Sequence, residues 1–396
     1  MKNTIDAFFA MLSSHFPDVP FVIQFWDKEE RRYGENQPVF RLSFRTLSAA
    51  KRFLGRGTLG FGEEYMNGDI EVEGNFAQLM RLGMDPLIGN LKLPLPTRFA
   101  FALRYFLSTN TLRQSPRNIA HHYGQGDEFY RLYLDESLTY SCAYYENAAD
   151  TLEQAQRQKY EHICRKLQLN AGESLVDIGC GWGGMLLYAA QQHKASATGC
   201  TLSKPQFDYA TEKVRHEGLE GSVNVLLQDY RNVRGSFDKF VSIGMFEHVG
   251  KKFIPTFMLK ARELLKPGGI GLLHTIGKDR SGSVDPWTLR YIFPGGYIPA
   301  LNEILHALAD VGLIAIDVEN LRMHYALTLE EWARRFERNV EKVRMMFDEK
   351  FVRMWRMFLE GSAAGFRWGN SRLYQITFTN GLNNSLPLTR KHLHHL

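Results

Sequence analysis

Ser174-Leu-Val-Asp-Ile-Gly-Cys-Gly-Trp-Gly-Gly184 is the stretch whose reading decides the fold. A short apolar run, Leu175 to Ile178, breaks into a loop with glycine at 179, 181, 183 and 184, and Met185 to Gln192 then reads as helix. The pattern is that of a buried parallel strand feeding a glycine turn and a helix N-terminus. Glycines there let the backbone turn tightly and approach a ligand closely, at the carboxyl edge of the sheet where open α/β folds bind their ligands.

Alone, such a turn fits a dinucleotide, S-adenosylmethionine, or simple close packing of a helix on a sheet. A dinucleotide site carries an acidic residue about 20 residues after the glycines to hold the ribose. Here the second strand, Ala195 to Cys200, runs instead into Thr201-Leu-Ser203. Further on, Val223 to Leu227 ends in Gln228-Asp229-Tyr230, and Phe240 to Ile243 ends in Gly244-Met-Phe-Glu-His248. Lys266-Pro-Gly-Gly269 punctuates a helix before the strand Ile270 to His274. The succession resembles the S-adenosylmethionine-dependent methyltransferase fold over roughly residues 150 to 380: an α/β, doubly wound, seven-stranded Rossmann-like sheet with its last strand antiparallel.

Composition sets the outer bounds. The 396 residues, 44% apolar, suffice for two domains or one large one. The cysteines Cys142, Cys164, Cys180 and Cys200 lie far apart without a Cys-x-x-Cys pair, so neither a disulfide framework nor a zinc site is indicated, and a reducing, cytoplasmic home is expected. Met1-Lys-Asn-Thr-Ile-Asp6 does not read as a signal peptide, and no window approaches the run of about 20 apolar residues that crosses a bilayer. The net charge of +5 names no partner.

The distribution of charge is more informative. Residues 1 to about 85 mix short alternating runs with turns: Arg41-Leu-Ser-Phe-Arg45 reads as a strand, Ser48 to Leu54 as a helix, and Gly55 to Gly74 as a loop-rich acidic segment. Pro86 to Gly126 then has no acidic residue, while Lys92, Arg98, Arg104, Arg113 and Arg117 are basic and Phe99, Leu103 and Phe106 share a helical face. That surface fits either a helix packed between domains or one lying on anionic lipid. Nucleic acid suits it poorly, because the basic residues are sparse and the apolar bulk is large. His121 and His122 lack a spaced third ligand, so no metal site is read there. Leu152 to Leu167 is an amphipathic helix leading into the first strand. After the fifth strand, Asp279 to Pro299 reads as an aromatic-rich loop, Ala300 to Ala309 as helix, Gly312 to Val318 as strand, Leu329 to Glu360 as a long helical insertion, and Tyr374 to Thr379 as the closing strand. The aromatic stripe along 329–360 fits a core face or the roof of an acyl tunnel.

Leu138-Thr-Tyr-Ser-Cys142, Val176-Asp-Ile-Gly-Cys-Gly-Trp-Gly-Gly184, Thr201-Leu-Ser203, Gln228-Asp-Tyr230, Gly244-Met-Phe-Glu-His-Val-Gly250, Leu273-His-Thr-Ile276 and His324-Tyr-Ala-Leu-Thr328 follow one another in the order found in cyclopropane-fatty-acyl-phospholipid synthases. From about His121 to the closing strand the chain resembles that family, and in architecture the resemblance takes in the N-terminal segment. It departs at Tyr123-Gly124-Gln-Gly126-Asp127, where the family has an aspartate after the tyrosine and an asparagine after the second glycine.

The resemblance implies methyl transfer from S-adenosylmethionine to the cis double bond of a phospholipid acyl chain, a carbocation beside the new methyl group, and ring closure on loss of a proton from it. Such a site needs an apolar slot, aromatic faces that tolerate positive charge, and a base that is not itself alkylated. By resemblance that base is bicarbonate, caged by Cys142, Glu247, His274, the backbone N–H of Ile276, and Tyr325. Bicarbonate carries its own O–H, so it can donate to Glu247 while accepting from the others. For S-adenosylmethionine the resemblance assigns Tyr140 and Ser141 to the methionine end, Gly179, Gly181 and Gly183 to close backbone approach, Thr201, Leu202 and Gln206 to the ribose, and Gln228 and Asp229 to the adenine.

Taken singly, each residue has a plainer reading: Cys142 as a small buried side chain, Glu247 as a helix cap, His274 as a core histidine. Their joint occurrence at strand ends is what favours a site. The expected organisation is a lipid-handling domain over 1–115 and a catalytic domain over 116–396 that carries the helical insertion 329–360. The expected enzyme works peripherally on a phospholipid surface at the inner face of the membrane, without nucleic acid, as a homodimer by resemblance. Rival readings are a related lipid methyltransferase that leaves a methyl branch or a methylated olefin, a silent lipid-binding protein, and a small-molecule N-methyltransferase.

Overall fold

A computed structural model describes residues 1–84 and 126–393. The basic aromatic stretch read from Pro86 lies outside the described residues as far as Gln125. The described residues of Met1–Ser108, with Asp285–Pro294 and Leu329–Asn370, form one compact unit; those of Thr109–Val284, Gly295–Thr328 and Ser371–Leu396 form a second.

In the first unit, β1 (Phe21–Gln24), β2 (Glu30–Tyr33), β3 (Phe40–Phe44) and β4 (Ile70–Gly74) form a sheet in the order β2-β1-β3-β4, with only the β1–β3 pair parallel. Phe21 and Phe40 stack across β1 and β3 at 5.1 Å, and Phe9 of the Lys2–His15 helix meets Phe21 edge-on. Gly55 to Asn67 is not the loop its glycines suggested. It completes a helix, Leu47–Asn67, broken at Gly57, whose φ of 54° is open to glycine and lets the second half bury Leu59, Phe61 and Tyr65.

Two expectations for the later chain are corrected here. The stretch 329–360 is not one helix but the end of Arg322–Arg338, then Val340–Met346 and Glu349–Arg367. Nor does it extend the catalytic domain. From Leu329 onward it packs within the first unit, because its apolar stripe is buried against the Leu47–Asn67 and Phe76–Gly83 helices. Arg353 fixes the contact, donating to Glu71 at 2.8 Å and to the Tyr65 carbonyl at 3.1 Å. The supposed loop 279–299 likewise contains a short helix, Pro286–Tyr291, capped by Asp285.

The second unit holds the seven-stranded sheet. Its strands are β5 (Ser174–Ile178), β6 (Ser196–Thr201), β7 (Val223–Leu227), β8 (Phe237–Ile243), β9 (Leu265–Lys278), β10 (Leu313–Asn320) and β11 (Ser371–Asn380), in the order β10-β11-β9-β8-β5-β6-β7. β11 runs antiparallel to both β9 and β10, and the β9-β8-β5-β6-β7 series is parallel. The fold class read from the sequence is the one observed. Adjacent residues face opposite sides, as strand geometry requires. Leu175, Val241 and Leu272 pack under the Leu152–Leu167 and Gly184–His193 helices, while Val176, Phe240 and Leu273 pack under Ile254–Leu264 and Leu301–Asp310. Lys266-Pro-Gly-Gly269 lies inside β9 and does not precede it. A side chain at Gly269 would meet the Asp238 carbonyl at 2.9 Å, so the glycine lets β9 pass β8 closely.

Candidate active site

The strand order reverses between β5 and β8, and there a cavity of about 110 Å³ opens at the carboxyl edge of the parallel strands. Its wall contains Tyr140, Ser141, Gly179, Gly181, Thr201, Leu202, Gln206 and Gln228, eight of the residues assigned to the cofactor from the sequence. The glycines divide by role. A Cβ on Gly179, at φ 88°, would lie 2.6 Å from Met245. One on Gly181, at φ 55°, would meet nothing within 4 Å, so Gly181 faces open space. Gly183 is not on the wall; it caps the Gly184–His193 helix and packs on Ala210. Asp229 is also absent from the wall, its carboxylate accepting from Arg231 Nη2 at 2.6 Å and Nε at 2.7 Å. Thr201 Oγ1 donates to Gln206 Oε1 at 2.8 Å and fixes that side chain.

Among the wall residues that sequence reasoning did not assign are two ionisable ones, Lys159 and Asp177. Both are fully buried, and helix periodicity had given no reason to turn Lys159 inward. Lys159 Nζ donates to Ser141 Oγ at 2.9 Å, and Gln156 Nε2 to the Ser141 carbonyl at 3.0 Å, so the Leu152–Leu167 helix holds the loop carrying Tyr140 and Ser141. Burial pulls Lys159 down to about 7, against the opposing fields of Asp135, Cys142 and Asp177. Burial pushes Asp177 up to about 7, and its Oδ1 has no partner among the described residues. A buried carboxylate oxygen without a donor is suited to a cationic ligand. Asp127, where the sequence departs from the family, accepts from the indole N–H of Trp182 at 2.8 Å.

Two members of the expected anion cage, Glu247 and Ile276, meet beyond the end of β8, and a third, His274, lies two residues earlier on β9. Glu247 sits in the 3₁₀ turn Phe246–His248, and its Oε1 accepts from the Ile276 N–H at 2.6 Å. That N–H is therefore directed at Glu247. Glu247 Oε2 is buried without a partner, and burial raises the carboxyl to about 7. His274 lies inside β9 with Gln375 of β11 opposite. Gln375 Nε2 donates to its Nδ1 at 3.1 Å, which leaves the proton on Nε2, and Nε2 is buried without a partner. Burial, with Lys159 and Lys166 nearby, holds His274 well below the usual histidine range, so the ring is neutral.

Cys142 and Tyr325 are joined by a different route. Cys142 is fully buried, its thiol pushed up by burial and donating to the Ala143 carbonyl at 3.1 Å. The Ala143 N–H donates to Thr328 Oγ1 at 3.0 Å, one turn beyond the half-buried Tyr325 on the Arg322–Arg338 helix. Tyr144 stacks between His162 at 4.1 Å and His324 at 4.7 Å, which fastens the two segments. Lys159, on the cavity wall, lies in the field of both Cys142 and His274. All four cysteines are free, and no group able to hold a metal ion occurs among the described residues.

Comparison with known proteins agrees with this fold. The family described as mycolic acid cyclopropane synthetase matches residues 110–376, and a domain family of unknown function matches residues 8–85. A probable fatty acid methyltransferase of Pseudomonas putida is 35% identical over 95% of this chain and 96% of its own. The cyclopropane-fatty-acyl-phospholipid synthase of Escherichia coli K12 is 38% identical over 86% of this chain and 88% of its own. The solved structure of the mycolic acid cyclopropane synthase CmaA1 complexed with SAH and CTAB superposes with a TM-score of 0.63 at 32% identity, covering 67% of this chain and 98% of that one. The chain thus belongs to the mycolic acid cyclopropane synthetase family, as an S-adenosylmethionine-dependent methyltransferase of the cyclopropane fatty acid synthase type.

Proposed function

We propose that the protein is a cyclopropane-fatty-acyl-phospholipid synthase, adding a methylene to the cis double bond of phospholipid acyl chains. The observation that carries this reading is the pair of buried, unpartnered atoms Glu247 Oε2, just beyond β8, and His274 Nε2, within β9. One is an acceptor and the other a donor, and an anion bearing its own O–H satisfies both. Glu247 and His274 offer the open groups for bicarbonate, with Cys142 and Tyr325 the other expected members of its cage; the Ile276 N–H, committed to Glu247, orients that carboxylate, and the ion would supply a base that the methyl donor does not consume. Ionised above about 7, Glu247 accepts a hydrogen bond there, and neutral His274 donates one without adding charge.

The cavity walled by Gly181, Thr201, Leu202, Gln206 and Gln228 fits S-adenosylmethionine, with Asp177 and the Lys159-anchored Ser141 at its polar end. When bound, the cofactor supplies an electrophilic methyl group. Gly183 supports that wall through its helix. Asp229 reaches the adenine only if its carboxylate is shared with Arg231. The lipid-facing surface we assign to the first unit and to the basic segment with Arg98 and Arg104, with the enzyme acting peripherally on the cytoplasmic face as a homodimer. Among the described residues no helix is long and apolar enough to cross a membrane.

A second reading, a related lipid methyltransferase that leaves a methyl branch or a methylated olefin in place of a ring, is kept because the Pseudomonas putida relative is named only as a probable fatty acid methyltransferase. Both readings are tested by incubating purified protein with S-adenosylmethionine and vesicles of monounsaturated anionic phospholipid, then weighing the released fatty acids. A gain of one CH₂ supports acyl-chain methylation. No gain from protein that binds the cofactor refutes both.

A further inference from the structure

A second cavity, of about 220 Å³, lies wholly in the first unit, and cations from three separate stretches of chain surround it. Arg56 stands at the kink of the Leu47–Asn67 helix, Arg290 on the Pro286–Tyr291 helix, and Lys350 in the first turn of Glu349–Arg367. One carboxylate, Glu63, faces them. It accepts from Arg56 Nη1 and from Arg290 Nη1, each at 2.5 Å, and from the Tyr291 hydroxyl at 3.1 Å.

The arrangement is built by tight packing. Trp287 is buried against Gly62, where a Cβ would lie 2.3 Å from its ring, and its indole N–H points at Met66 Sδ at 3.3 Å. Thr58 donates to Asp285 Oδ1 at 2.6 Å. Only glycine at 62 admits the indole, and that contact brings Arg290 and Tyr291 beside Glu63.

Three cations against one carboxylate leave two positive charges in excess. Glu63 uses one nitrogen of each guanidinium and holds both forks in place, leaving their other N–H groups to donate elsewhere. Lys350 is exposed and has no hydrogen-bond or ion-pair partner among the described residues. Fixed guanidinium forks plus a mobile ammonium are the donor set that phosphate oxygens select. We propose that this cavity is a phosphate-binding subsite, formed by Arg56, Arg290, Tyr291 and Lys350 around Glu63, that takes the phosphodiester of a phospholipid headgroup. Its assignment to a headgroup rests on the phospholipid reading above; its phosphate chemistry does not.

The test uses the full-length protein and reads binding apart from activity. Inorganic phosphate and sn-glycero-3-phosphoglycerol are titrated calorimetrically, and turnover is measured on phosphatidylglycerol vesicles, for the parent, Lys350→Gln and Arg290→Gln. Lys350→Gln removes an unpaired exposed ammonium, so its Tm should match the parent while affinity for the diester falls about tenfold and KM for vesicles rises with kcat unchanged. Binding of inorganic phosphate with an unmoved vesicle KM would support a phosphate site fed from solution and overturn the headgroup. If neither probe binds the parent, or Lys350→Gln binds both as the parent does, the cluster is an ion-pair network and the proposal is wrong. Phosphate binding by an enzyme inactive on lipid would uphold the site while refuting the phospholipid substrate.

Discussion

Replacing Glu247 with glutamine changes one oxygen to an NH₂ and leaves the shape of the side chain. The amide oxygen can still accept from Ile276 N–H, as Oε1 does at 2.6 Å. What is lost is the acceptor at Oε2, which is buried and has no other partner. If that oxygen accepts a charge-assisted hydrogen bond, its loss removes about 1.5–3 kcal/mol, or about 10- to 150-fold in turnover. Affinity for S-adenosylmethionine should stay within about twofold, since Glu247 is not part of the cofactor cavity wall. Stability should move the other way. Burial raises the carboxyl from 4.5 to about 7, so the folded state keeps its proton to higher pH than the unfolded chain does. Stability is therefore lost as pH rises from 4.5 through about 7, with a ceiling of about 3 kcal/mol. Glutamine does not incur that loss, so at pH 8 Glu247→Gln should melt at the parent's temperature or above. Parent turnover should also rise with pH through about 7 as the carboxylate forms, and the variant should lack that limb. The assay is product formation from pH 5.5 to 8.5 beside calorimetric cofactor binding and thermal unfolding. A variant that loses cofactor affinity and turnover equally, or melts lower, would show that Glu247 is structural and refute the reasoning.

Other consequences follow from single contacts. Lys159→Met removes the ammonium anchoring Ser141 and should weaken cofactor binding at least about tenfold; unchanged affinity would exclude Lys159 from that wall. Because the folded pKa of Lys159 lies at about 7, below the ordinary lysine value of 10.5, the unfolded chain binds more protons between them, so its contribution makes stability rise over that interval; the Met variant should lose this rise in pH-dependent denaturation. Gly179→Ala places a Cβ 2.6 Å from Met245 at φ 88° and should cost about 1–3 kcal/mol in urea unfolding. Gly181→Ala has the unfavourable φ without the clash, so its loss of cofactor affinity should exceed its loss of stability relative to Gly179→Ala. Arg98→Glu with Arg104→Glu should weaken sedimentation with anionic vesicles by about 1 kcal/mol or more per site at low salt, and much less at high salt; binding that does not change would place the lipid surface elsewhere.

The sheet and its glycine turn were legible because they depend on local rules. Leu152–Leu167 was read to the residue: Tyr160, Ile163, Cys164 and Leu167 share one face, and Thr151 and Gln154 form a capping box at its start. The placement of Glu247 just after β8 and of His274 within β9 was legible from the apolar runs that precede them. Helix formation by Gly55 to Asn67 was not, because four glycines lower helix propensity and only tertiary burial of Leu59, Phe61 and Tyr65 reverses the balance. The stripe from Trp332 to Phe358 said that one face is buried but not against what, so its place in the first unit was invisible. Inward-facing charge is hidden for the same reason: Lys159 and Asp177 look like ordinary helix and strand residues until the packing is seen. That Ile276 N–H is directed at Glu247, and Asp229 at Arg231, are pairings that spacing cannot reveal.

The central claim, that this site closes a ring on an acyl double bond, is tested most directly with S-adenosylmethionine carrying a CD₃ group and vesicles of monounsaturated phosphatidylglycerol. The released fatty acids are analysed by mass and proton NMR. Ring closure predicts retention of two deuteriums, upfield cyclopropane signals from the former vinylic positions, and loss of the olefinic resonances. Retention of all three deuteriums in a methyl branch, or two in a product that keeps olefinic signals, would contradict it.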